Sequence, residues 1–73
     1  MTLLRLPDIE SISAAVHAAW ITSKKEQGFD SRKSEDGEEL MVPYEQLSEK
    51  AKELDRSTVR AVYAAILSTA ANE

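Results

Sequence analysis

A run of ten residues without one apolar side chain, 30–39, divides the sequence into two segments of helical periodicity. Because such a run has nothing to contribute to a hydrophobic core, it predicts an exposed loop. On both sides of it, apolar residues recur every three or four positions, as they do along one face of an α-helix. The sequence therefore predicts a mainly α fold, in which two long helices pack together and are joined by one polar loop.

The first helix is predicted to run from about residue 8 to residue 27. Pro7 favours the first turn of a helix, and the Asp8 carboxylate can accept hydrogen bonds from its free N–H groups. Gly28 can adopt the left-handed conformation that commonly ends a helix. The apolar stripe of this helix is expected to face the core. Its members are Ile9, Ile12, Val16 and Trp20.

The second helix is predicted from about residue 49 to residue 71, with Ser48 as its N-cap. A later start at Ser57 is the alternative, because Asp55 and Ser57 can also cap a helix. A continuous helix is favoured, since the apolar residues keep the same helical spacing before and after residue 55. The predicted core face is broad. It comprises Leu47, Ala51, Leu54, Thr58, Val62, Ala65 and Ile66, with Val59 and Tyr63 at its edge.

The loop and the residues on either side of it contain shorter sequence patterns that predict local structure. Asp36-Gly37 is a turn signal of the kind that closes hairpins. The flanking residues 29–32 and 40–42 could pair across this turn as a minor two-stranded ribbon. Residues 43–47 predict one tight helical turn before the second helix.

Length and composition exclude several classes of protein. The 73 residues make a single domain, 1–73, in which residues 1–6 form a short apolar arm. The lack of cysteine excludes disulfides and thiolate metal sites, and with only one histidine we predict neither a metal nor a cofactor. No apolar run approaches the roughly 20 residues of a membrane span, and no secretory pattern opens the sequence. These features predict a cytoplasmic protein with no membrane partner.

The charge balance also limits function. Thirteen acidic residues against nine basic ones give a net charge of −4, which disfavours nucleic-acid binding because phosphates must be neutralised. The acidic loop is not an EF-hand: counted from Asp30, Glu35 stands where a Gly is needed and Met41 where the last Glu is needed. We interpret the loop charges as solvated. No nucleophile motif or paired carboxylate motif accompanies His17, so an enzyme is not predicted.

Two motifs border the loop. In the first, His17, Trp20 and Lys24 follow one another at helical-turn spacing before Gly28-Phe29. The second comprises Leu40, Val42, Pro43, Tyr44 and Leu47, with Lys52, Asp55 and Arg56 after it. In order and spacing these motifs resemble the RyR domain, a repeat of the cytosolic part of ryanodine receptors that also occurs as a lone module in bacteria and phages. The resemblance covers about residues 6–67 and implies a lone bacterial or phage-type member.

The resemblance implies a binding module for a small anionic ligand, with a nucleotide derivative as one candidate. The candidate ligand-binding residues are His17, Trp20, Lys24, Tyr44 and Arg56. Trp20 and Tyr44 would supply aromatic surface, Lys24 and Arg56 would neutralise charge, and His17 would donate a hydrogen bond. Structural roles are the alternative: Trp20 and Tyr44 in the core, His17 packed beside them and bonded to the loop, and Lys24 in a surface ion pair.

A second hypothesis is a protein-interaction module without a small ligand. The last helix carries more apolar surface than one partner helix can cover, and Ala61, Ala64 and Ala65 would allow another helix to approach closely. We therefore expect a homodimer that assembles through this helix.

Overall fold

The computed structural model describes residues 5–71 and contains two α-helices and one short 3₁₀ turn. Helix α1 spans Ile9–Glu26, the 3₁₀ turn spans Tyr44–Gln46, and helix α2 spans Glu49–Ala71. The mainly α fold with two long helices is therefore confirmed. Residues 1–4 of the predicted apolar arm lie outside the described residues.

Helix α1 begins and ends where local chemistry predicts. The Asp8 carboxylate accepts the backbone N–H of Ser11 at 2.9 Å and the Ser11 hydroxyl at 2.9 Å, so it caps the first turn. At the other end Gly28 has a φ of +92°, and the N–H of Phe29 donates to the carbonyl of Lys24 at 3.0 Å. This is a Schellman-type ending, which satisfies carbonyls that the helix itself leaves unpaired.

Helix α2 is continuous and is capped by Ser48. The Ser48 hydroxyl oxygen accepts the N–H of Ala51 at 3.2 Å. The same hydroxyl donates to the Glu38 carboxylate at 2.7 Å, and the Ser48 N–H donates to it at 2.9 Å. These bonds lower the pKa of Glu38 and tie the polar loop to the start of α2. Ser57, the alternative start, lies within the helix.

The predicted ribbon is reduced to a single pair. Lys33 and Glu39 form an isolated antiparallel bridge, and residues 5–71 contain no strand. The Glu39 carboxylate accepts the Ser31 hydroxyl and the N–H groups of Arg32 at 2.9 Å and Met41 at 3.0 Å. These hydrogen bonds lower the pKa of Glu39 to about 2. The interpretation of the loop charges as merely solvated is wrong for Glu38 and Glu39, which bind backbone N–H groups.

The predicted Asp36-Gly37 turn is present at the tip of the loop. Gly37 has a φ of +86°, and its N–H donates to the carbonyl of Ser34 at 2.9 Å. Lys50 reaches the Asp36 carboxylate at 2.6 Å, a contact between two exposed side chains. The turn therefore rests beside the first turn of α2.

The two helices pack antiparallel. The start of α1 lies beside the second half of α2, where the Tyr63 hydroxyl donates to the carbonyl of Pro7 at 2.9 Å. Further along α1, His17 meets Asp55, which lies two turns earlier on α2. Within the described residues, no helix is long and apolar enough to cross a membrane.

The face of α2 that packs on α1 differs from the predicted one. Val59, expected at the edge of that face, is 2% exposed, whereas Leu54 is 64% and Val62 is 50% exposed. Two polar contacts explain the rotation, because Asp55 and Arg56 both bind side chains of α1 and bring their own side of α2 inward. The apolar period alone could not reveal these contacts.

The buried positions of α1 are also shifted from the predicted stripe. Ser13 and His17 are its buried residues, while Val16 is 38% exposed. Ile9, Ile12 and Trp20 are partly buried. Ser13 lacks bulk, which allows α2 to approach closely at this point, and its hydroxyl has no hydrogen-bond partner among the described residues.

The 3₁₀ turn completes the core beside the two helices. Tyr44 and Leu47 are buried together with Ala51 of α2. Partly buried apolar side chains pack around this cluster, namely Ala14, Leu40 and Val42. The segment that follows the polar loop is thereby held against α1, close to His17.

Candidate ligand site around His17

His17 lies at the centre of the site, with 4% of its surface exposed. Its Nε2 is 2.8 Å from the carbonyl oxygen of Val42, and its Nδ1 is 3.3 Å from Oδ2 of Asp55. The imidazole stacks on Trp20 with ring centroids 5.5 Å apart, and the Tyr44 ring lies 6.3 Å away at a tilt. The predicted packing of His17 beside aromatic rings, with a bond to the loop segment, is present.

Asp55 is a site residue that the sequence suggested as a possible helix cap and as part of the second motif, but not as a contact of His17. Its side chain is 22% exposed, and burial raises its pKa above the ordinary value although His17 acts in the opposite direction. A carboxylate and a histidine 38 positions apart form no recognisable sequence motif, because only tertiary packing brings them together. Asp55 joins α2 to α1 through the imidazole.

An apolar groove lies on one side of His17. We call it the indole groove, because the Trp20 ring lines it, and its volume is about 310 Å³. Its lining residues come from α1, α2 and the segment that follows the loop: Val16, His17, Trp20, Leu40, Leu47, Ala51, Leu54, Asp55 and Thr58. Trp20 is partly buried there, so the ring both packs on His17 and presents an accessible edge.

A second groove lies on the other side of the imidazole. This tyrosine groove has a volume of about 360 Å³. Its lining residues are Ala14, His17, Ala18, Ile21, Lys25, Met41, Val42, Pro43, Tyr44 and Glu45. His17 lines both grooves and therefore forms part of the wall between them.

Lys24 lies at the C-terminal end of α1. Its Nζ is 5.3 Å from the centroid of the Phe29 ring, and the guanidinium carbon of Arg32 is 5.1 Å from the same ring. Such contacts between a cation and an aromatic face are attractive. Both cations thus contact the Phe29 ring, and Lys24 lies one turn beyond Trp20 on the surface of α1.

Arg56 has a different environment. Its guanidinium binds Glu10 through Nε, and Nη1 lies 2.9 Å from Glu49 and 3.6 Å from Glu53. The Tyr44 hydroxyl donates to Glu10 at 2.8 Å, so one carboxylate joins Arg56 and Tyr44. Glu10 and Glu49 raise the pKa of Arg56, while bonds from Tyr44 and Arg56 lower the pKa of Glu10. The guanidinium is therefore surrounded by carboxylates.

The five predicted site residues thus fall into separate places. His17, Trp20 and Tyr44 are brought together. Arg56 binds the first turn of α1 at Glu10, whereas Lys24 lies fourteen positions further along this helix, a rise of about 21 Å. The two cations are therefore associated with opposite ends of α1.

The part of the chain that the structure describes contains no cluster of side chains that could bind a metal ion. No three His, Asp or Glu side chains there converge as a metal ion would require. His17 has a carbonyl and a carboxylate at its two nitrogens.

The sequence of this chain matches a known domain family. The family model for the RyR domain matches residues 7–72 of the 73. The chain belongs to the RyR domain family. This RyR domain matches no curated protein and no solved structure. The family match therefore establishes the type of module and specifies no ligand.

Proposed function

We propose that this RyR domain is a non-enzymatic binding module for a small anionic ligand that contains a flat ring. In this proposal the ring occupies the indole groove against Trp20, and the anionic group lies at Lys24 and Arg32. The observation that carries the proposal is the apolar groove that Trp20 lines, with two cations in contact with the Phe29 ring and one of them, Lys24, one helical turn from Trp20.

Several contacts support this arrangement. Trp20 and Lys24 are four positions apart on α1, so their side chains are neighbours on the helix surface. The N–H of Leu40, which lines the groove, donates to the carbonyl of Arg32 at 2.8 Å, so Arg32 is connected to the same wall. Asp55 would repel an anion at the α2 side of the groove, which leaves the Lys24 side as the favourable position.

The non-enzymatic part of the proposal rests on His17. It is the single histidine of the sequence, and both of its ring nitrogens lie within reach of protein acceptors. A general base needs a nitrogen that can reach substrate. An imidazole held in this way positions neighbouring residues instead.

A thermal-shift series with nucleotides and the matching uncharged nucleosides tests the ligand. At a concentration one hundred times the Kd, ligand binding stabilises a protein by about 2.7 kcal/mol, which for this size raises the Tm by about 10 °C or more. We expect a nucleotide to produce such a shift and its nucleoside a smaller one. No shift with any anionic ring compound at millimolar concentration would contradict the proposal.

A pair of neighbouring lysines provides a matched control for the site. Lys24→Gln is expected to weaken binding about 10-fold or more, the effect of losing one charge-assisted contact. Lys25→Gln makes the same change on the adjacent residue, which lines the tyrosine groove instead, and should leave the affinity nearly unchanged. Equal affinities for the two variants would place the anion elsewhere.

The second candidate function is assembly with another copy of the chain through α2. Four large apolar residues of this helix are exposed: Leu54, Val62, Ile66 and Leu67. Residues 61–70 carry no charged side chain, so a second copy could cover this length without burying an unpaired charge. Light scattering over a concentration series should then approach twice the chain mass of 8.1 kDa. A constant mass of one chain would remove this candidate.

A further inference from the structure

The buried imidazole of His17 faces two hydrogen-bond acceptors. Nε2 is 2.8 Å from the carbonyl oxygen of Val42, and Nδ1 is 3.3 Å from the Asp55 carboxylate. A carbonyl oxygen can only accept, and an ionised carboxylate can only accept. The Val42 contact therefore needs a proton between its two atoms, and the Asp55 contact is attractive only when one of its two partners carries a proton.

A neutral imidazole carries only one N–H, which cannot serve both contacts. If Nε2 holds the proton, the lone pair of Nδ1 faces the ionised Asp55 carboxylate, and the repulsion between them disfavours this tautomer. If Nδ1 holds it, the carbonyl of Val42 loses its donor. Both contacts are made only when the His17–Asp55 pair carries one further proton, either on the imidazole or on the carboxyl group.

We propose that a proton shared by His17 and Asp55 holds residues 40–43 against α1, and that loss of this proton on raising the pH loosens that segment. Residues 40–43 line both grooves, Leu40 on one side and Met41 to Pro43 on the other. The protonation state of one pair thus controls how firmly the wall between the grooves is fixed, with or without a ligand.

The groups around His17 are consistent with a shared proton. From α2 the nearest titratable group is Asp55, whose pKa is raised by burial. From the 3₁₀ turn come the Tyr44 ring and, on the groove surface, Glu45; Lys25 of α1 lines the same groove. Among residues 5–71, Asp55 is the one carboxylate that forms an ion-pair contact with the imidazole.

The direction of the pH dependence follows from linkage. A proton that the folded pair binds more tightly than the unfolded chain stabilises the fold. This stabilisation declines as the pH rises and the pair loses the shared proton. The folded state should therefore be held more firmly while the pair keeps this proton.

A titration of the native chain followed by NMR tests the proposal directly. Because the chain has one histidine, its two ring nitrogens give a single pair of signals that report protonation and tautomer. The carbonyl carbon of Val42 is expected to shift with the same midpoint as the ring, and amide exchange at Leu40 and Met41 should accelerate above it. A Val42 carbonyl that does not respond while the ring titrates would overturn the proposal.

Asp55→Asn supplies a matched variant. The asparagine amide can donate to Nδ1 of a neutral imidazole while Nε2–H still donates to Val42, so no further proton is needed. The ring midpoint is expected to fall by about one pH unit or more, and the Val42 response should disappear. Asp36→Asn removes an exposed carboxylate that pairs with Lys50, and should leave the midpoint in place. An equal midpoint in the native chain and in Asp55→Asn would refute a shared proton.

Discussion

Val59→Asp is expected to remove a large part of the free energy of unfolding of the domain. Val59 is 2% exposed at the contact of the two helices, so the substitution removes buried apolar surface and places a carboxylate in a buried position. The expected loss is about 4 kcal/mol or more, against a total of about 4–11 kcal/mol for a domain of this length. Urea unfolding followed by far-UV circular dichroism measures it.

Val62→Asp is the control for this variant. Val62 lies on the same helix but is 50% exposed, so the new carboxylate can remain in water. The free energy of unfolding of the single chain should change little, while any assembly through α2 should be lost. Similar stabilities for the two variants would mean that the inward face of α2 is not the one described above.

Tyr44→Ala is the second substitution with a large expected effect. Tyr44 is 7% exposed in the core cluster, its ring lies near His17, and the ammonium group of Lys52 lies 5.5 Å from its centroid. Truncation of a buried aromatic residue typically costs about 3–5 kcal/mol. The melting temperature should fall steeply, and the fluorescence of the single tryptophan should change because the packing beside His17 is lost.

Tyr44→Phe separates the ring from the hydroxyl group. It keeps the buried ring but removes the bond to Glu10 at 2.8 Å. We expect only a small loss of stability, since Glu10 lies at the surface and water can replace the hydroxyl. If this variant were as unstable as Tyr44→Ala, the hydroxyl network rather than the packing of the ring would fix the 3₁₀ turn.

The ends of the helices were predictable because they depend on local chemistry. Asp8, Gly28 and Ser48 each act on backbone groups within a few positions of themselves, and each occupies the expected capping position. The bounds of both helices followed from these residues. The same holds for the Asp36-Gly37 turn, whose geometry requires a residue with positive φ.

The orientation of α2 about its axis was not predictable from the apolar pattern. Leu54 is more hydrophobic than Ser13, yet it is exposed and Ser13 is fully buried. The contacts that decide the packing are polar and long-range, namely His17 with Asp55 and Arg56 with Glu10. Periodicity counts apolar residues and carries no information about such pairs.

The candidate site was only partly predictable for the same reason. The helical spacing correctly placed His17 beside Trp20, and the prediction that His17 bonds the loop segment holds. The spacing could not place Arg56, because three glutamates at the surface determine where its guanidinium lies. Ligand contacts for all five candidate residues stay predictions: His17, Trp20, Lys24, Tyr44 and Arg56.

The hydrogen bond from Tyr63 to Pro7 has a practical consequence. It fixes the entry of the polypeptide into α1 beside the second half of α2, at the pole opposite to Lys24 and Phe29. A tag, fluorophore or tether attached at that pole would stay clear of the surface where an anion is expected. Immobilised copies of the domain should therefore remain accessible to dissolved compounds, which suits it to surface-based screening.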